Sequence, residues 1–232
     1  MLKYLSGAIS GAIARNCDLT LMAAKRLLNR HAKISYAQSA DDLMAAYFLR
    51  DYEGPKVYVD VGCNHPRRLS NTYWFYLRGW AGVAIDGNPC VVQRFRMMRP
   101  RDTVVHALVS NEVADHEFVT FEDSAVSSLS PSHIEKWQTR SRATGRLQMT
   151  SRQLNDILRE EGIPSDFGFL SIDVEGHDIE VLQSIDLANY SPALIIIECH
   201  ADYELDSIVS IASQYGYKLA YRNILNAFFL RS

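Results

Sequence analysis

Acids and histidines gather at two places late in the chain. Asp173-Val-Glu-Gly-His-Asp178 carries Asp173, Glu175, His177 and Asp178 within a few residues, and Glu198-Cys-His200 sets an acid beside a second histidine. Groups of this kind move protons. A hydroxyl of high pKa gives up its proton only to a positioned base or to a cation that acidifies it. His200 is the first candidate base, because an unperturbed imidazole titrates near 6.5 and is available in its neutral form at pH 7. His177 is the second, and Asp173 is either a base itself or the group that orients the histidine. Asp173 and Glu198 also offer hard oxygen ligands to a divalent ion such as Mg²⁺. Glu175 and Asp178 have a plainer alternative use, as acids favouring the N-terminus of the helix after Gly176.

Such residues must be carried to one place by strands. Phe167 to Ile172 and Ala193 to Ile197 are apolar, β-branched runs that read as buried strands ending at the two acidic clusters. A third run, Val57-Tyr-Val-Asp-Val61, lies between Gly54-Pro55 and Gly62 and reads as a buried parallel strand closed by a tight turn. Open α/β sheets bind ligands beyond the carboxyl ends of their strands, which puts Asp60, Gly62 and Asn64 on the same edge as the acids. Gly82-Val-Ala-Ile-Asp-Gly-Asn-Pro89 is a further strand ending in Asp86, at about the 20-residue offset where a carboxylate accepts ribose hydroxyls. Between these two, Ser70 to Gly79 holds Tyr73, Trp74 and Leu77 at helical spacing, completing a β-α-β unit. Asn71 and Thr72 at its start either cap the helix or offer its N-terminus to a carboxylate. Thr103 to Ser110 reads as another strand, with Ser110 at the end that approaches an adenine. The turn after Val61 has no G-x-G-x-x-G cradle for a diphosphate. A nucleoside ligand without phosphate fits better, and S-adenosylmethionine has that form.

Composition bounds the rest. The 232 residues, 47% of them hydrophobic, suffice for one α/β domain with a core but not for two full domains. The net charge of −3 argues against a nucleic-acid surface. Cysteines 17, 63, 90 and 199 lack metal-ligand spacing and read as free thiols. No apolar run approaches the roughly 20 residues of a membrane span, which leads to the expectation of a cytoplasmic protein. Charge is unevenly placed: residues 1–33 carry six basic side chains against Asp18, and the remainder is acidic. Leu2, Leu5, Ile9 and Ile13, then Leu21, Met22 and Leu28, recur at helical spacing, so this extension reads as two amphipathic helices. They either lie on an anionic membrane surface or cap the domain or a partner subunit. Asn111 to Thr150 is the weakest stretch, with an edge-like strand Glu117–Glu122 and a long basic insertion from Ser132 to Arg146 that reads as a lid or binding loop. Tyr217–Tyr221 and Ala227–Arg231 close the chain as strands, with Asn226 facing substrate or serving the turn.

Several of these motifs, in this order, resemble the FkbM-type methyltransferases: Tyr58-Val-Asp-Val-Gly-Cys-Asn-His-Pro66, Ser70-Asn-Thr72, Gly79-Trp80, Asp86, Arg99-Pro-Arg-Asp102 and Phe169-Leu-Ser-Ile-Asp-Val-Glu-Gly176. The resemblance runs from about Ser35 to near the C-terminus. Where most members carry a small residue and a second glycine after the first, this chain has Cys63 and His65-Pro66. It implies a class I methyltransferase fold, Rossmann-like, with a mostly parallel seven-stranded sheet and an antiparallel last strand. It implies S-adenosylmethionine as cofactor and a sugar hydroxyl of a glycan, glycolipid or secondary metabolite as acceptor. By the same resemblance Tyr36 and Gln38 close over the cofactor's amino-acid end, although Ser39, Asp41 and Asp42 there also read as a helix start. The expected division is a helical extension over residues 1–50 and a cofactor-binding domain over 51–232, with a homo-oligomer left open. The competing readings are a nicotinamide-dependent oxidoreductase on a related sheet and a non-catalytic scaffold that keeps the cofactor fold.

Overall fold

The computed structural model describes residues 2–29, 31 and 33–232. Strand β1 (Val57–Val61) is the middle of its sheet, pairing in parallel with β2 (Ala81–Asp86) on one side and β6 (Phe169–Ile172) on the other. Beyond β2 lies β3 (Thr103–His106), and beyond β6 lies β7 (Leu194–Glu198), both parallel. β9 (Asn226–Arg231) is inserted antiparallel between β7 and β8 (Tyr217–Arg222), completing a seven-stranded sheet of order β3-β2-β1-β6-β7-β9-β8. This is the class I methyltransferase arrangement expected above.

Side-chain alternation splits the sheet into two differently furnished faces. Val59, Val61, Val83, Ile85, Leu170, Ile172, Ile195 and Ile197 point to an aliphatic layer closed by Leu154, Leu158, Val181 and Ile208. These last come from α6 (Leu154–Glu160), α7 (Asp178–Gln183) and α8 (Asp202–Ser213). Tyr58, Phe169, Ile196 and Phe228 point the other way, against Phe75, Trp80 and Ala45. Ala45 belongs to α2 (Asp41–Phe48), and Phe75 to the single turn α3 (Tyr73–Tyr76). Tyr58 and Asp60 share this second face, so it is also where β1 needs polar partners.

Several expectations are corrected. The extension is one continuous helix, α1 (Leu2–Leu28), not two. Its midpoint holds no breaker, and Asp18 is buried there, bonded to Arg67 at 2.5 Å and to the Tyr73 hydroxyl at 3.0 Å. α1 crosses α4 (Pro89–Met98) at Gly11, where a Cβ would come within 2.9 Å of the Met98 Cα. The side chains of Leu2, Lys3, Leu5, Ile9, Lys25, Arg26 and Leu28, and Arg30 altogether, lie outside the described residues. The expected edge strand near Glu117 is instead β4 (Asp115–Phe121), paired antiparallel with β5 (Ala143–Thr150) in a separate two-stranded sheet. The expected loop 132–146 thus contains α5 (Pro131–Gln138), begun by a proline at N1, and the first half of β5. β3 stops at His106, and Ala107 to Ser110 run on as loop, tied back through the Ser110 amide to the Arg152 carbonyl at 3.0 Å.

Candidate functional site

Two clefts open along the carboxyl edge of the sheet. The first, about 510 Å³, is walled by Ile85, Asp86, Gly87, Leu108 and Phe118. The second, about 550 Å³, is polar and is lined by Gln38, Asp41, Asn71, Glu198 and Asn226. Both share Gly62, Asn64, Ala125, Asp173 and Glu175, so they meet at the tips of β1 and β6.

The meeting point depends on glycine. Gly62 has φ 78°, and a Cβ on it would stand 1.7 Å from the Asp173 carbonyl oxygen, so the two strand ends approach this closely only without a side chain. In the first cleft the Asp86 carboxylate is aimed by two backbone donors, the Asn88 amide at 2.7 Å and the Asn64 amide at 3.0 Å. Burial raises its pKa to about 6, and those two donors only partly offset it. Each oxygen keeps a lone pair free, so the pair of ribose hydroxyls has two acceptors. Gly87 brings Leu108 and Phe118 against the floor: a Cβ there would meet the Leu108 side chain at 2.5 Å. The result is an apolar slot next to a carboxylate, suited to a purine attached to its sugar.

The second cleft gathers acids. One carboxylate oxygen each of Asp173, Glu175 and Glu198 lie within 4.8 Å of one another. Burial, then Glu198 and Glu175, drive Asp173 well above the usual carboxylate range, and burial with Glu198 and Asp178 pushes Glu175 up to about 8. Glu175 sits in the left-handed region at φ 58°, held there by the turn through Gly176 and by Ser128, which donates to its carbonyl at 2.8 Å. His133 of α5 reaches in from above, its Nε2 3.3 Å from Glu175 Oε2. His200 stands at the rim, 51% exposed, with Nε2 3.1 Å from Glu198 Oε1; that bond raises its pKa. Asp41 forms part of the far wall and is fixed by Asn223 at 2.5 Å and Asn226 at 3.2 Å.

Of the residues expected to bind the cofactor, Gly62, Asn64, Asn71, Asp86 and Gln38 line one cleft or both. Asp60 and Thr72 do not. Thr72 donates to Asp60 at 2.6 Å and accepts from Arg99 at 2.9 Å, placing both behind the floor. Arg99 is fully buried and ion-paired with Asp102 at 2.6 Å, and it also donates to the Tyr58 hydroxyl at 2.6 Å. α3 is one turn long, too short to act as the expected helix N-terminal anion site. Tyr36 packs edge-on against Tyr73 with its hydroxyl buried, outside the lining of either cleft. Ser110 and His177 are bonded to each other at 2.9 Å, with Glu180 3.6 Å from the imidazole, so neither lines a cleft. Asp178 accepts from the Val174 and Gly176 amides and shapes the turn that presents Glu175. His133 and Phe118 escape the sequence reading because the chain between β3 and α6 brings them to the site by tertiary packing, with no local spacing to mark them.

The family profile of the methyltransferase FkbM domain matches residues 60–219. The chain belongs to the FkbM methyltransferases. The matched segment holds Gly62, Asn64, Asp86, Asp173, Glu175 and Glu198, hence the whole junction of the two clefts. No curated protein matches the chain significantly. Among solved structures, a precorrin-6y C5,15-methyltransferase from Geobacter metallireducens is similar at 12% identity, covering 81% of this chain and 86% of that one, with a TM-score of 0.40. A TehB-like SAM-dependent methyltransferase from Corynebacterium glutamicum is similar at 12% identity over 93% of this chain and 97% of that one, with a TM-score of 0.41. Membership of the FkbM family makes S-adenosylmethionine the methyl donor and sets the oxidoreductase reading aside.

Proposed function

We propose that this FkbM methyltransferase is an O-methyltransferase acting on a sugar hydroxyl of a glycan, glycolipid or secondary metabolite. The observation that carries the reading is the meeting of the nucleoside-shaped cleft with the acid-lined one at Gly62, Asp173 and Glu175. The donor supplies an electrophilic methyl on a sulfonium; the protein must align an oxygen and accept its proton. Asp173 accepts a hydrogen bond from the acceptor hydroxyl and fixes its direction. His200, kept basic by Glu198, takes the proton as the C–O bond forms and the C–S bond breaks. His177, turned to Ser110, serves the loop rather than the reaction. Asp173, Glu175 and Glu198 also fit a hard divalent ion such as Mg²⁺, offering three carboxylate oxygens that converge within 4.8 Å of one another. Bound there, the ion would acidify the hydroxyl.

Comparing surface glycans and small metabolites with and without the protein tests the reaction: a product heavier by one CH₂, on oxygen, is expected. Purified protein that turns over no hydroxyl acceptor would favour the scaffold reading. Methyl transfer that survives both Asp173→Ala and His200→Ala would remove the catalytic assignment, and activity indifferent to EDTA would remove the ion. For α1 we propose peripheral contact with anionic membrane, supported by the basic excess of residues 1–33 and by exposed Ile13, Leu19 and Leu21 on the helix.

A further inference from the structure

A third cleft, about 630 Å³, adjoins the other two through Asn64 and Ala125 and is lined by His65, Arg68, Leu69, Asp123 and Ser124. The basic insertion does not serve it. Arg142 and Arg146 are spent on Glu122 and Glu117 at the β4–β5 sheet, and Lys136 and Arg140 lie over the Trp137 ring. Arg67 is held by Asp18. Arg68 and Arg94, by contrast, have no carboxylate partner among the described residues, and Arg68 is exposed.

His65 is set as a fixed donor. Its Nδ1 accepts from the Arg67 amide at 3.1 Å and the Arg68 amide at 3.0 Å, which leaves the proton on Nε2. Burial, then Arg94, Arg68 and Arg67, lowers its pKa to about 4, so the ring stays neutral and the tautomer stays fixed near pH 7. Nε2–H meets no acceptor among the described residues. Asp123, the one acid of this wall, is already accepting from the Ala125 amide at 3.1 Å. A neutral N–H donor, an unpaired guanidinium and a second one nearby form a site for an anion.

We propose that this cleft binds a phosphate or carboxylate carried by the acceptor, so that the methylated sugar is an acidic one, such as a sugar phosphate or a uronic acid. The inference rests on the methyltransferase reading and names its substrate class. The same chemistry could be met by the cofactor's own carboxylate, and the experiment separates the two. Full-length protein saturated with S-adenosylhomocysteine is titrated calorimetrically with inorganic phosphate, in wild type and in Arg68→Gln/Arg94→Gln. Phosphate binding that weakens about tenfold or more in the variant, with S-adenosylhomocysteine affinity unchanged, is the expected result. A shift of the His65 Nε2 resonance on adding phosphate should accompany it. Phosphate affinity equal in the two proteins, or no phosphate binding to the saturated wild type, overturns the proposal. So does a variant that loses S-adenosylhomocysteine affinity instead, which would give the site to the cofactor. If S-adenosylhomocysteine fails to bind at all, the methyltransferase reading falls, while phosphate titrated into the unliganded protein still reads the cleft.

Discussion

At the scale of single residues, the site works through side chains whose surroundings have already fixed their direction. Asp86 is the clearest, since two backbone amides orient it before any ligand arrives. Replacing Asp86 by Ala should weaken S-adenosylhomocysteine binding about tenfold or more, as charge-assisted hydrogen bonds to the ribose are lost, with little change in melting temperature. The carboxylate must be ionised to accept both hydroxyls, and its pKa is raised to about 6. Affinity should therefore climb between pH 5 and 7 as the proton leaves, and calorimetry on Asp86→Ala should show that rise abolished. Arg99 is fixed by different means and to a different end. It lies in a fully buried network with Asp102, Tyr58 and Thr72, and Thr72 in turn holds Asp60 beneath the floor. Arg99→Met should cost about 3–5 kcal/mol in urea unfolding, because Asp102 would be left as an uncompensated buried charge. Asp60 and Asp86 are both acids at strand ends, yet one supports the floor and one faces the ligand; only the partners of each decide which.

Elements matter through how closely they approach. Gly62→Ala would set a methyl against the Asp173 carbonyl and force a left-handed backbone on an L side chain. The β1 and β6 tips would part, so S-adenosylhomocysteine binding should be lost and the melting temperature should fall; a thermal shift with and without ligand measures both. The β-α-β centre was legible in the sequence because Val57–Val61 and Ala81–Asp86 are short apolar runs ended by a glycine turn and an acid, a purely local pattern. The β4–β5 sheet was not. β5 alternates polar and half-buried residues with a glycine and no β-branched run, and its strand character comes from pairing with a partner some thirty residues earlier. α1 is one helix although its apolar positions fall into two series, Leu2 to Ile13 and Leu21 to Leu28, because Asp18 between them is received by Arg67 and Tyr73 without interrupting the helix.

On the scale of the whole molecule, charge and topology set the outcome. The basic N-terminal segment sits on an otherwise acidic body, and no described helix is long and apolar enough to cross a membrane. Sedimentation with phosphatidylglycerol vesicles should pull the protein down at low salt and release it near 0.5 M, where charges are screened beyond a few ångströms; equal binding to neutral vesicles would count against the charge-based contact. Topology has a consequence in time. β9 slots between β7 and β8, and its Asn226 helps fix Asp41 in the acid-lined cleft. On the ribosome, β7 therefore waits with Ile195 to Ile197 unpaired on one side until residues 226–231 emerge, long after the donor-binding half could have closed. A product truncated before β9 would be left with a sticky edge that chaperones and proteases can recognise.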